Sequence, residues 1–332
     1  MYIVPAWLVF VLSGVAVAAA GMRLARDGDA IASRTGLGGL WVGAILVAAA
    51  TSLPELSTDL SAVRQGHPSL AVGDLFGSNL ANLAILALAD LAVRRTRILT
   101  RVAINQALVG VLGICLTAIA AAGVVSSGFS LAGLAWPTVA IAFAYGAGMR
   151  LLHRNRPEPP FRSPEDVATA RRRAVPLRRA IVGFGLSTLV ILVAAPWLAR
   201  SGADLAGQLG LSTGFVGLVL VALATSLPEL AVSVESIRNK AYDLTVGNLL
   251  GSNCFNMAAL VILDVADGPG SLLARSDGTA LIGALFGILM TALALLDILN
   301  KSEKRIWVLE PGPVFILLAY VAGLYLAYRA GS

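Results

Sequence analysis

Residues 50–56 read Ala50-Thr51-Ser52-Leu53-Pro54-Glu55-Leu56, and residues 224–230 repeat the same seven letters 174 positions later. Each copy inserts a carboxylate, two hydroxyls and a proline into an apolar run. An ionisable side chain within an apolar span is expensive to bury and indicates a functional position by default. Two of them at equivalent positions, Glu55 and Glu229, indicate that a functional segment was duplicated.

The composition is that of a membrane protein. The chain of 332 residues is 57% apolar and 13% charged, with a mean hydropathy of +0.81, outside the usual range of soluble domains. Runs almost free of charge, of about 20 residues as a spanning helix needs, occur ten times. The ten predicted spans are roughly residues 2–22, 37–54, 69–89, 102–125, 130–149, 180–199, 209–228, 244–263, 279–296 and 311–328.

The basic residues lie between the apolar runs, so the net charge of +6 indicates an orientation in the membrane and no nucleic-acid partner. With the N-terminus outside, 21 of the 25 basic residues fall in cytoplasmic loops. The others are Arg64, Arg200, Arg275 and Arg329. We therefore expect a multi-pass protein of the cell (plasma) membrane with both termini outside. The proline-rich basic segment 150–179 is predicted to be a cytoplasmic linker.

The duplication extends beyond the two seven-residue stretches. At the same offset, Gly77-Ser78-Asn79 matches Gly251-Ser252-Asn253, and Asn82 matches Asn256, which indicates an internal repeat. An odd number of predicted spans separates the copies, so the second copy is inverted relative to the first. We predict an all-α membrane protein of ten transmembrane helices in two inverted five-helix repeats, residues 1–149 and 180–332. Such repeats are typical of secondary transporters with alternating access.

Each seven-residue stretch has the Ser-x-x-Glu spacing of a capping box, with a proline where the first turn of a helix tolerates one. A helix that starts inside the membrane frees carbonyl groups that lipid cannot satisfy. We therefore expect helices two, three, seven and eight to be discontinuous at the site. In the first copy the exposed ligands would be the carbonyls from Ala48 to Thr51, the Thr51 and Ser52 hydroxyls, and Glu55. Such hard oxygen ligands favour sodium and calcium over soft metals.

The third and eighth spans carry glycines four residues apart, a spacing that packs membrane helices closely. Each pair precedes a serine and an asparagine that are also four apart and therefore project from one helix face. These are Ser78 with Asn82, and Ser252 with Asn256. Close packing at the glycines is expected to bring this polar face to the helix that carries the glutamate.

The two copies differ at two acidic positions. Asp59 and Asp74 in the first copy correspond to Ser233 and Asn248 in the second. Asp59 lies one helical turn beyond Glu55, and we interpret it as a solvated residue near the outer end of its half-helix.

The motifs Thr-Ser-Leu-Pro-Glu and Gly-(Asn/Asp)-x-x-Gly-Ser-Asn, present in both halves, resemble the α-repeats of the cation/calcium exchanger superfamily, in particular its prokaryotic sodium/calcium exchanger branch. The ten-span pattern extends the resemblance to nearly the whole chain. It implies two inverted halves, exchange of extracellular sodium for cytosolic calcium, and switching of access by sliding of the first and sixth helices. Calcium and sodium would be transported substrates, and no resident cofactor is implied.

The resemblance also implies roles for individual residues. Glu55 and Glu229 would hold calcium together, assisted by the carbonyls of Thr51 and Thr225. Asn82 and Asn256 would line the central position. One flanking sodium site would use Ala48, Thr51, Glu55 and Ser78, and its mirror image would use Ala222, Thr225, Glu229 and Ser252. Ser52 and Ser226 add a hydroxyl to each copy of the motif.

The central residues predict a limit on stoichiometry. Two glutamates and two asparagines carry at most two negative charges, which one calcium or two sodium ions neutralise. A third sodium would leave a net positive charge in a low-dielectric site, which is unfavourable. The charge balance therefore disfavours an exchange of three sodium ions for one calcium.

Other functions stay open at this point. Because glutamates can be protonated, a calcium/proton exchanger is an alternative, as is a potassium-dependent or magnesium-selective exchanger. An intramembrane enzyme is disfavoured because His67 and His153 fall in loops on opposite sides, and an aspartyl enzyme would need Asp59 and Asp74 to meet. A channel is disfavoured because paired carboxylates at the midplane predict an occluded site. The sequence leaves the oligomeric state open.

Overall fold

The structure is a computed structural model that describes residues 5–37, 41–66, 68–93, 98–101, 105–126, 130–131, 134–154, 175–208, 225–268, 270–276, 278–300 and 311–331. Apart from two short paired strands, β1 (Ser130–Leu131) and β2 (Leu134–Ala135), the regular structure described is helical. The α-helices are α1 (Ala6–Thr35), α2 (Ala48–Arg64), α3 (Pro68–Ala92), α4 (Ile98–Arg101), α5 (Asn105–Val125), α6 (Trp136–Arg154), α7 (Leu177–Gln208), α8 (Leu227–Arg238), α9 (Tyr242–Asp267), α10 (Gly278–Asn300) and α11 (Pro311–Gly331). A π-helical segment, Val42–Val47, precedes α2, and a 3-10 turn, Leu273–Arg275, precedes α10.

The distribution of side chains confirms a membrane protein. Within the described residues, seven helices are long and apolar enough to cross a bilayer: α1, α5, α9, α10 and most of α3, α7 and α11. Large apolar side chains such as Leu186, Val193 and Leu318 are exposed, whereas acidic and amide side chains such as Glu55 and Asn248 are buried. Lipid accepts an apolar exterior, and the polar groups gather inside the helical bundle. Ten spans in two inverted repeats stay a prediction.

The expected breaks in the helices are wrong for the third and eighth spans, because α3 and α9 are continuous through their Gly-Ser-Asn motifs. The second span is also not interrupted at the motif, since α2 continues through Pro54. Its irregularity lies earlier in the chain, in the π-helical segment Val42–Val47. In the seventh span α8 begins after Ser226, and residues 209–224 lie outside the described residues.

The chain folds into two compact units. Unit one comprises Met1–Glu55 and Pro157–Leu249, and unit two comprises Leu56–Arg156 and Leu250–Ser332. Each unit combines residues from both predicted repeats. The repeat boundaries 1–149 and 180–332, with the linker 150–179, describe the duplicated sequence and stay a prediction; most of the linker lies outside the described residues.

Unit one is built around α1, which packs against α7 and α8. Its apolar core includes Val17 and Leu24 from α1, Ile191 from α7 and Val232 from α8. A Cβ added to Gly21 would lie 2.8 Å from the Cβ of Ala231 and 3.2 Å from the carbonyl oxygen of Pro228. Glycine therefore allows α1 to approach the first turns of α8 closely.

In unit two, α10 packs against α3, α5 and α11. A Cβ added to Gly283 on α10 would lie 3.0 Å from the Cβ of Phe76 on α3, a fully buried aromatic residue. Asp264 on α9 accepts hydrogen bonds from the Thr138 hydroxyl and, at 2.7 Å, from the Leu272 amide. These contacts place the Gly-Ser-Asn portions of α3 and α9 in the interior of this unit.

Candidate cation site

The first copy of the motif lies near the start of α2 with its polar side chains buried. The exposed fraction is 0% for Thr51, Ser52 and Glu55. Pro54 has no amide hydrogen, so the Ala50 carbonyl lacks the helical donor that position 54 would otherwise supply. The Thr51 hydroxyl lies 3.2 Å from the Ala48 carbonyl oxygen and 3.1 Å from that of Val47.

The second copy of the motif starts a helix. Ser226 is the N-cap of α8 and Pro228 occupies its first turn, which confirms the predicted helix start in this copy. The capping hydrogen bond itself is not formed, because the Ser226 hydroxyl is buried without a partner among the described residues. Glu229, in the first turn, is fully buried, and Thr225 is buried one residue before the cap. Ala222 lies outside the described residues.

The structure brings the two copies of the motif together in unit one. Oγ of Ser52, on α2, lies 3.4 Å from Oε1 of Glu229, on α8. Ser52 and Glu55 are three residues apart on α2, so they lie on neighbouring positions of one helix face. A hydroxyl of the first repeat therefore contacts the carboxylate of the second in a buried environment.

A further contact joins the first motif to α9. The Thr51 hydroxyl lies 3.3 Å from Oδ1 of Asn248. This approach is possible because the π-helical segment packs backbone to backbone on α9: a Cβ on Gly43 would lie 2.8 Å from the Leu244 carbonyl oxygen and 3.3 Å from the carbonyl carbon of Gly247. The packing role that its spacing predicts for Gly247 stays a prediction. For Gly73 and Gly77 no atom of the described residues lies within 4 Å of an added Cβ.

In unit two, the predicted ligands of α3 and α9 are buried together. Ser78 and Asn82 on α3, and Ser252 and Asn256 on α9, are each at most 1% exposed. Nδ2 of Asn82 donates to Oδ1 of Asn253 at 3.0 Å, and Nδ2 of Asn256 donates to Oδ1 of Asn79 at 3.2 Å. The two hydrogen bonds are equivalent under the 174-residue offset.

Asn79 and Asn253 were not among the residues that the sequence singled out as ligands. Both line a small cavity of unit two, with Thr117 of α5 and Thr291 of α10 on its wall. Their identity in both copies of Gly-Ser-Asn was the available signal. The sequence does not show that α3 and α9 are in contact. Through this contact Asn79 and Asn253 each bond to a predicted ligand.

The expectation that Asp59 is solvated is wrong. Asp59 is only 2% exposed, and its carboxyl group lies close to that of Asp74 on α3. The first copy therefore contains a buried acid pair where the second has Ser233 and Asn248.

The polar interior is rich in oxygen atoms. Among the described residues, no three side chains of His, Cys, Asp or Glu converge into a group that could hold a metal ion. The donors around the two motifs are carboxylates, hydroxyls, amide oxygens and main-chain carbonyls. This donor set fits a hard cation such as sodium or calcium.

Comparison with known proteins identifies the family. The sequence model of the family described as "Sodium/calcium exchanger protein" matches residues 5–146 and 179–329. The chain is similar to the "Putative antiporter CaxA" of Alkalimonas amylolytica, with 26% identity over 323 residues, 93% of this chain and 94% of that protein. It is also similar to the "Inner membrane protein YrbG" of Escherichia coli (strain K12), with 29% identity over 261 residues, 75% of this chain and 76% of that protein.

Two further likenesses agree with this result. The "Sodium/calcium exchanger MaX1" of Methanosarcina acetivorans is 36% identical over 72 residues, 22% of this chain and 21% of that protein. A solved structure of the sodium-calcium exchanger NCX_Mj has the same fold, with a TM-score of 0.71 at 20% identity, covering 96% of this chain and 98% of that one. The family model matches most of both predicted repeats, and the family is one of transporters. The chain therefore belongs to the sodium/calcium exchanger protein family.

Proposed function

We propose that the chain is a secondary antiporter that exchanges Ca²⁺ for Na⁺ by alternating access. The observation that carries this proposal is the buried contact of 3.4 Å between Ser52 Oγ and Glu229 Oε1. It joins the two copies of the motif through a hydroxyl and a buried carboxylate. Buried acids of this kind inside a transmembrane bundle occur where ions or protons are handled, and oxygen donors suit calcium and sodium.

In this proposal Glu55 and Glu229 are the acidic ligands, and Thr51 and Ser52 are hydroxyl ligands of the first motif. The resemblance between the motifs and the α-repeats supports the remaining ligands. These are Ala48, Ser78, Asn82, Ala222, Thr225, Ser226, Ser252 and Asn256. Calcium and sodium are transported substrates, and we propose no resident cofactor and no enzymatic activity.

The proposed arrangement in the membrane has ten spans in two inverted five-helix repeats. The distribution of the basic residues supports both termini outside the cell membrane and the linker 150–179 in the cytoplasm. Single cysteines introduced at residues 165 and 332 of a variant without Cys115 and Cys254 would test it. A membrane-impermeant thiol reagent applied to intact cells should label position 332 and not position 165. The reverse pattern would refute the orientation.

The exchange is tested with purified protein in liposomes. An outward gradient of sodium should drive uptake of radioactive calcium, and a sodium ionophore should abolish the uptake. Glu229→Gln should abolish it as well, because one of the two buried charges is lost. Uptake driven by a proton gradient or by potassium, with none driven by sodium, would refute sodium coupling. Single-channel currents would refute exchange itself.

One observation favours a second candidate, a calcium/proton exchanger. The carboxyl groups of Asp59 and Asp74 lie close together inside the protein, and a close pair of carboxyl groups can take up a proton. A proton-coupled exchanger should acidify the medium as calcium enters the liposomes, with no sodium present. The double variant Asp59→Ser/Asp74→Asn, which copies the second repeat, should lose that proton movement if the pair carries it. Proton movement equal to that of the wild type would exclude the pair as the proton carrier.

A further inference from the structure

Four buried asparagines connect α3 and α9 inside unit two. They are Asn79 and Asn82 on α3, and Asn253 and Asn256 on α9, all at most 6% exposed. Two side-chain hydrogen bonds cross between the helices, from Asn82 to Asn253 and from Asn256 to Asn79. A third bond runs from Nδ2 of Asn253 to the main-chain oxygen of Asn79 at 3.2 Å.

The third bond determines the direction of the first. A main-chain carbonyl can only accept, so Asn253 must present its NH₂ group to Asn79 and therefore its oxygen to Asn82. Asn82 must then donate its own NH₂ group to Asn253. Amide nitrogen and oxygen are similar in shape, so the orientation of an amide is assigned from its hydrogen bonds. Here the main-chain oxygen of Asn79 fixes the orientation of Asn253, which in turn fixes that of Asn82.

The orientation leaves one atom of each predicted ligand without a partner. Oδ1 of Asn82 and Oδ1 of Asn256 are both buried and accept no hydrogen bond from the described residues. Leaving a buried amide oxygen unpaired costs about 1–3 kcal/mol. A cation ligand is a role that would repay this cost, because amide oxygens coordinate both calcium and sodium.

We propose that Asn79 and Asn253 are positioning residues that hold the side-chain oxygens of Asn256 and Asn82, respectively, as neutral cation ligands. The inference rests on the proposed cation transport and adds to it two residues that do not themselves touch the ion. By occupying the NH₂ group of Asn82, Asn253 prevents a flip that would present a hydrogen-bond donor to a cation, and Asn79 accepts from Asn256 in the equivalent bond. Hydrogen-bonding partners behind a metal ligand commonly orient it in this way.

The same geometry explains why position 82 carries asparagine rather than aspartate. An ionised aspartate there would set a carboxylate oxygen against Oδ1 of Asn253, whose NH₂ group is already bound to the Asn79 carbonyl. Two acceptors in contact repel each other, so the positioning residue selects a neutral ligand. The four asparagines therefore help to keep the negative charge of the predicted site low.

The test is a double-mutant cycle on calcium binding. The calcium dissociation constant is measured by isothermal titration on the purified full-length wild type, Asn253→Leu, Asn82→Ala and the double variant Asn82→Ala/Asn253→Leu. Loss of an orienting residue commonly weakens metal binding by about 10–100-fold, and we expect an effect of that size for Asn253→Leu. The double variant should bind no more weakly than Asn82→Ala, because Asn253 acts through Asn82.

Thr291→Val is the matched control. Thr291 lines the same cavity as Asn79 and Asn253, but its hydroxyl is bonded at 2.7 Å to Gly287 of its own helix. Its calcium binding should equal that of the wild type. If Asn253→Leu does not fold, Asn253→Ala replaces it in the cycle, since it also removes the acceptor for Asn82 and adds no bulk.

The outcomes separate this inference from the proposed function. Losses that multiply in the double variant, or a lowered melting temperature with unchanged calcium affinity, would mean that Asn253 is only structural. Unchanged binding in Asn82→Ala would remove Asn82 as a ligand and overturn the inference. In these cases the proposed function stands if the wild type binds calcium and Glu229→Gln does not. A wild type that binds neither calcium nor sodium would overturn both.

Discussion

Arg26 and Glu235 form an ion pair in which Nε of the arginine donates to Oε1 of the glutamate at 2.6 Å, joining α1 to α8. The Glu235 side chain is only 3% exposed, whereas that of Arg26 is 61% exposed. Asn239 also donates to Oε1 at 3.2 Å, and Arg238 lies 3.6 Å from Oε2. The pair holds α1 against the helix whose first turn carries Glu229. By the 174-residue offset its counterpart is Arg200 with Ser61, which cannot form an ion pair.

We expect Arg26→Gln to lower the thermal stability of the protein. It leaves the buried carboxylate of Glu235 with fewer partners, at a cost of about 1–2 kcal/mol given the exposure of the arginine. The double variant Arg26→Gln/Glu235→Gln should recover part of that loss, because no buried charge is left uncompensated. Melting of the four proteins in detergent measures the coupling. Strictly additive losses would contradict an interaction between the two side chains.

Calcium should stabilise the wild type and not Glu229→Gln. A ligand at about 100 times its dissociation constant adds about 2.7 kcal/mol to the stability of the folded state. Replacing the buried carboxylate by an amide removes a ligand and also a desolvated charge. In the presence of a chelator, the variant should therefore melt at the same temperature as the wild type or higher. Calcium should raise the melting temperature of the wild type and leave that of the variant unchanged. An equal calcium shift in both proteins would exclude Glu229 as a ligand.

Thr51→Val should lower the apparent affinity for sodium in the exchange reaction more than it lowers the affinity for calcium. The substitution keeps the shape of the side chain and removes the hydroxyl that lies near Ala48, Val47 and Asn248. A lost polar interaction of this kind is worth about 0.5–1.5 kcal/mol, so we expect the sodium concentration for half-maximal exchange to rise by about 2–10-fold. Thr51→Ser, which retains the hydroxyl, is the control. Equal behaviour of the two variants would contradict a ligand role.

Gly43→Ala should destabilise the protein by about 1–3 kcal/mol, as overpacking does. The added Cβ would lie 2.8 Å from the Leu244 carbonyl oxygen and 3.1 Å from the Asn248 amide nitrogen, and backbone atoms cannot turn aside as a flexible side chain can. Gly185→Ala is the matched control, because no described atom lies within 4 Å of a Cβ there. Equal melting temperatures for the two variants would refute the close approach of the π-helical segment to α9.

Much of the molecule was predictable from local chemistry. The apolar runs predicted the long helices, and the Ser-Leu-Pro-Glu spacing predicted the start of α8 at Leu227. The breaks expected in α3 and α9 were wrong because a glycine inside a long helix weakens the helix without ending it. Pro54 did not end α2 either: it removes one helical hydrogen bond, and α2 continues through it.

The candidate site was predictable in its residue types and less so in its partners. Both glutamates were identified because a duplicated carboxylate in an apolar run is costly unless it has a function. Asp59 was misjudged because its distance along the helix from Glu55 indicated an outer position, while its contact with Asp74 depends on another helix. The roles of Asn79 and Asn253 were missed for the same reason.

The sequence by itself determined that this chain spans a membrane and that one polar motif occurs twice, because composition and repetition are properties of the chain alone. It also identified the family, because the motifs that resemble the family are short stretches of sequence. Only the tertiary structure decided that Ser52 meets Glu229, that Arg26 meets Glu235 and that Asn82 donates to Asn253. Each of these pairs joins residues more than 170 positions apart, and such distances in the chain are closed by helix packing rather than by any local preference.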